Sequence, residues 1–94
     1  MTDERVRRLH DHLEATAELP VEREVGAYLG EAEAVARDLA ERPAEPAVVS
    51  ERAEHVRDLL AEVEGTGNDE ADEHVAAARD LARELVEEPA ECDG

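Results

Sequence analysis

The chain has 94 residues, and its 27 acids against ten bases leave a formal net charge of −17, which excludes the broad cationic surface that nucleic-acid binding needs. One domain accommodates this length, and with nine Leu, ten Val, one Met and one Tyr but no Ile, Phe or Trp the core must be small. A single Cys, at position 92, excludes an internal disulfide, and no stretch reaches the ~20 apolar residues of a membrane-spanning helix.

In chain order, the spacing predicts a first helix over about 3–18, with Thr2 as N-cap and an apolar stripe of Val6, Leu9, Leu13 and Thr16/Ala17. Pro20 ends that helix or opens the next, because proline suits a first helical turn and disfavours helical geometry at Leu19. The second helix is expected over about 21–41 with the seam Val21, Val25, Tyr28, Ala32, Val35 and Leu39, spaced alternately by four and three. Tyr28 is expected to be a core ring with its hydroxyl at the edge.

The same helix has a second lane, Gly26, Gly30 and Ala34, on another face. An interior helical glycine costs about 1 kcal/mol relative to alanine, so two of them imply a reason. Three are open: close approach by another helix (the fourth helix or a second subunit), a kink near Gly30, or ligand access to bare backbone. The first makes Gly26, Gly30 and Ala34 a candidate helix–helix interface.

Pro43 and Pro46 bracket an extended connection, and a third helix follows over about 48–64, with Ser50 as candidate N-cap and the lane Val49, Ala53, Val56, Leu60 and Val63. Gly65 is placed to be its left-handed terminating residue. Asn68 caps a fourth helix over about 69–87 with the stripe Ala71, Val75, Ala78, Leu81/Ala82 and Leu85, leaving residues 89–94 as a tail. The fold class is therefore all-α, an up-and-down bundle of four helices, or three if Pro20 only kinks one long helix. Arg37-Asp38-Leu39, Arg57-Asp58-Leu59 and Arg79-Asp80-Leu81 recur late in three successive helices, a match that a chain so rich in these residues generates by chance.

Chemistry-bearing motifs are sparse. His10 and His12 point to different faces of a helix, while Glu51/His55 and Glu70/His74 have i, i+4 spacing. No Cys-x-x-Cys, His-x-x-x-His or Glu-x-x-His occurs, and no metal site, cofactor or catalytic residue is expected. Glu51-x-x-Glu54 is similar to the first half of the magnesium motif of all-helical nucleotide pyrophosphatases. The second half, Glu-x-x-Asp, is missing, with Asp69-x-x-Asp72 the nearest substitute. That resemblance implies a metal-dependent nucleotide hydrolase as the alternative function. Arg5, Arg7 and Arg8 are the one feature favouring a small DNA-associated factor, and they are interleaved with acids. The loop Gly65-Thr66-Gly67-Asn68 lacks a lysine and is crowded by Glu64, Asp69, Glu70, Asp72 and Glu73, which would repel a phosphate.

Every base is Arg, and Ala and Val are abundant. This acid-rich, lysine-free composition resembles the cytoplasmic proteome of extreme halophiles, and the chain as a whole looks like small uncharacterised all-helical haloarchaeal proteins, with no site motif to carry over. The resemblance implies a cytoplasm at molar salt, where a Debye length of about 3 Å screens the self-repulsion of the chain. The opening MTDERVRRLHDHL has no apolar run after its charged start, so no secretory signal is expected. Few large apolar side chains make a monomer marginal, and the expected assembly is a homodimer acting as a non-enzymatic interaction or regulatory module with an unknown protein partner.

Overall fold

A computed structural model describes residues 4–42 and 44–88. Four helices run in order: α1 (Glu4–Ala17), α2 (Arg23–Glu41), α3 (Pro46–Ala61) and α4 (Asp69–Glu87). Each packs on two others, α1 on α2 and α4, α3 on α2 and α4, and the diagonal pairs do not touch. The molecule is thus an up-and-down four-helix bundle closed by the contact between its first and last helices.

The joint at Pro20 is a true break. Glu18 and Leu19 close α1 with tight bonds back to Ala15 and Thr16, and Pro20 and Val21 lie outside any helix. Glu22 is the extended N-cap of α2, and its amide donates to the Thr66 carbonyl at 3.2 Å, tying the first connection to the third. Helix α2 continues unbroken through Gly30, so the glycines do not mark an interruption.

Two ends differ from the sequence expectation. Ser50 is not a cap: α3 starts at Pro46, where the missing amide hydrogen costs nothing, and Glu45 stands at the N-cap without a side-chain bond. At the other end α3 closes at Ala61, with Glu62 as a right-handed C-cap, and the left-handed glycine is Gly67 (φ 83°) rather than Gly65. Arg79 of α4 reaches across this end to the Leu60 carbonyl, at 2.8 Å from Nη2, and to that of Val63. The expected Thr2 cap and the Cys92 tail lie outside the described residues.

The core is built from Leu and Val layers interleaved with fully buried alanines. Leu9, Leu13, Leu60 and Leu85 have no exposed surface, and neither do Ala32, Ala36, Ala53, Ala78 and Ala82, which let the helix axes come close. Helix α2 buries Val25, Leu29, Ala32, Ala36 and Leu39, a stripe rotated from the expected seam. Tyr28 is exposed and Val35 half-buried, because α2 sits between α1 and α3 and its buried arc centres on Leu29 and Ala36. Tyr28 lines a shallow surface groove with Glu62 and Glu64, just past the end of α3.

Candidate functional site

Besides the bond from Arg5 to the Glu84 carbonyl of α4, helix α1 makes two histidine contacts to its neighbours, one on each side of its apolar stripe. His10 and His12 are two residues apart, about 200° around a helix, and therefore flank Val6, Leu9, Leu13 and Thr16 on opposite sides. His10 turns to α2, His12 to α4.

On the α2 side, His10 Nε2 donates to Glu33 Oε2 at 2.9 Å. Glu33 is the one charged side chain that the described residues bury, and His10 and Arg37 both bond to its carboxylate. Arg37, one turn along, donates Nε to Oε2 at 2.9 Å and Nη2 to Oε1, a bidentate clamp on the same carboxylate. The hydrogen bonds and charge of Glu33 push the Arg37 guanidinium above its ordinary range. Glu14 approaches His10 Nε2 from α1 at 3.6 Å. Among the described residues no buried side-chain polar atom lacks a partner, so the Glu33 carboxylate is fully answered.

On the α4 side, His12 Nδ1 lies 2.9 Å from His74 Nδ1, with the ring centroids 5.2 Å apart and the planes tilted by 46°. Burial, then the charge of His74 and of Arg8, lowers the pKa of His12 below its ordinary 6.5, with Asp11 opposing. No i, i+4 pattern announces this pair, because its members come from the first and last helices.

A third polar cluster joins the loops. Thr66, fully buried, holds its hydroxyl 2.8 Å from both Asp72 Oδ1 and the Asn68 carbonyl, and its amide donates to Asp72 Oδ1. Those bonds hold the Asp72 carboxyl below the usual range against a smaller opposing effect of burial. Asn68 accepts from the Ala71 amide at 3.0 Å and caps α4, as its sequence position suggests.

The Gly26, Gly30 and Ala34 lane faces outward. Helix α4 makes no close approach to α2, and among the described residues Gly26 and Gly30 border only the α1 side. A Cβ on Gly30 would meet nothing within 4 Å, and one on Gly26 only Val21 Cγ2 at 3.6 Å. Beside the lane lies an apolar groove of about 210 Å³ between α1 and α2, lined by Ala17, Leu19, Val21, Gly26, Leu29 and Gly30. By contrast, Glu51, Glu54 and His55 stand exposed on α3, and Asp69 and Asp72 lie in the first turn of α4 with Asp72 turned to Thr66. Among the described residues no group of three or more His, Cys, Asp or Glu is placed to hold a metal ion. Among the described residues no helix is long and apolar enough to cross a membrane.

No curated protein and no solved structure matches the chain. A family model described as a domain of unknown function, DUF8152, matches residues 5–92, and the chain belongs to that family.

Proposed function

We propose that this DUF8152 member is a non-enzymatic helical interaction module that pairs with a second copy of itself in a salt-rich cytoplasm, through the outer face of α2. The observation that carries the reading is Gly30. It stands exposed in mid-helix with open space where a side chain would project, so its cost of about 1 kcal/mol relative to alanine is not explained within the monomer.

An antiparallel pairing of two α2 helices, centred between Gly30 and Glu31, accounts for the neighbours as well. Ala27 then faces Ala34 of the partner subunit, and Arg23 faces Asp38 of the partner subunit, each contact occurring twice by two-fold symmetry. The apolar groove beside the lane adds Leu19 and Val21 to the buried surface. Each copy brings a charge of −17, so pairing is favoured where salt screens the repulsion.

Light scattering in molar KCl tests this. The expected mass is twice the 10.3 kDa of one chain. Gly30→Leu should give a monomer of unchanged helicity, since the new side chain meets no atom of its own subunit at its root. A monomeric wild type at molar salt, or a dimeric Gly30→Leu protein, rejects the proposal.

A further inference from the structure

The four helices touch in a ring, and three of the contacts, α1 with α2, α2 with α3 and α3 with α4, are also spanned by a connection of the chain. The fourth, between α1 and α4, has no connection across it. His12 and His74 meet in that seam end to end, with Nδ1 of one ring donating to Nδ1 of the other at 2.9 Å and the ring centroids 5.2 Å apart. We propose that this histidine pair is an acid-sensitive latch, which holds α1 on α4 at neutral pH and loosens that seam selectively once both rings are protonated.

The bond counts protons. In the neutral pair one ring carries its hydrogen on Nδ1 and donates, while the other carries its hydrogen on Nε2 and accepts. A first added proton leaves one Nδ1 bare, so an imidazolium donates to a neutral ring and the bond persists with charge assistance. A second proton occupies both Nδ1 atoms. No acceptor then remains, and two positive rings face each other across the seam.

The charged groups around the pair are Arg8 and Asp11 on α1 and, one turn before His74 on α4, Glu70. Glu70 and Asp11 favour protonation and Arg8 opposes it. For His12, burial and the charge of His74 also oppose it, so His12 takes its proton last, below its ordinary 6.5. The latch is therefore closed above about pH 6.5 and is lost as pH falls through the lowered folded value. The same acidity spares the α2 side, where His10 needs only a hydrogen on Nε2 to reach Glu33. Arg5, which donates to the Glu84 carbonyl at 3.3 Å across the α1–α4 seam, keeps its charge throughout. With 14 residues α1 is too short to stay helical without its packing, so a loosened seam shows as fraying of α1. The latch is independent of the outer α2 face and is expected in monomer and dimer alike.

The test follows amide hydrogen exchange of the full chain in molar KCl between pH 7.5 and pH 5, corrected for the intrinsic pH dependence of exchange. Over that interval the α1 amides near His12 should lose protection by roughly 2–10-fold relative to those of α3, the weight of one hydrogen bond. His12→Asn places an amide near the position of Nδ1 and takes up no proton in this range, so its α1 protection should stay level with that of α3. His55→Asn, on the exposed surface of α3, should behave as the parent chain. If His12→Asn does not fold, the parent chain decides: the loss of α1 protection should share its midpoint with the imidazole titration of His12 and not with that of His55. Equal loss in all four helices, no loss in the parent chain, or a pH dependence that survives His12→Asn or tracks His55 overturns the latch.

Discussion

The contact of α1 with α2 and its contact with α4 are made by the same residue type, two positions apart, with opposite chemistry. Towards α2, His10 meets an acid that Arg37 already holds in a bidentate grip. Towards α4, His12 meets another histidine. The first contact needs only a donor on the ring; the second needs one ring to donate and the other to accept, so it is lost only when both carry a proton on Nδ1. The difference teaches that a helix in a strongly acidic chain can have one side answered by an acid and the other by a second base.

The largest expected effect removes what both sides share. Leu13 is fully buried on the stripe between the two histidines, and Leu13→Ala should cost about 2–5 kcal/mol in denaturant unfolding at molar salt. Next comes the acid side: His10→Ala leaves Glu33 with Arg37 alone, and a loss of about 1–3 kcal/mol is expected. In a double-mutant cycle, His10 and Glu33 should show coupling that His12 and Glu33 lack. An uncoupled His10–Glu33 pair would show that the contact adds nothing beyond packing.

The smallest effect is the most specific. The unfolded His12 titrates at its ordinary 6.5 and the folded one lower, so the unfolded state binds more protons as pH falls. Stability contributed by the neutral ring is therefore complete above about pH 6.5 and is lost as pH falls through the lowered folded value. Stability between pH 7.5 and pH 5 should fall more steeply for the parent chain than for His12→Ala in denaturant unfolding. Parallel curves would mean that burial does not hold the ring neutral.

Periodicity made the bundle legible, along with Asn68 as a cap and the divergence of His10 and His12, because helix geometry is local. It found Val25, Ala32 and Leu39 of the α2 core but set the arc to one side: Tyr28 and Val35 satisfy the same four-and-three rhythm as Leu29 and Ala36, and only the position of α2 between two neighbours decides between them. Glu33 was invisible as a buried group because its partner His10 lies 23 residues away on another helix. The His12–His74 pair escaped for the same reason over a longer span. Among the three Arg-Asp-Leu triplets, Arg37 clamps Glu33, Arg57 stays with Glu54 and Asp58 on its own helix, and Arg79 crosses to α3. Identical words thus carry three different jobs.

The reach of Arg79 into the last turn of α3 also orders events in folding. Helix α3 has no basic residue of its own in that turn; its Leu60 carbonyl accepts from the Val63 amide at 3.1 Å and, once α4 docks, from Arg79 as well. The end of α3 is thus closed by its own backbone and reinforced by α4, and the α3–α4 hairpin should open and close as one cooperative unit. Amides near Leu60 and Val63 would then exchange their hydrogens at the pace of the hairpin rather than at the faster pace of an independently fraying helix end.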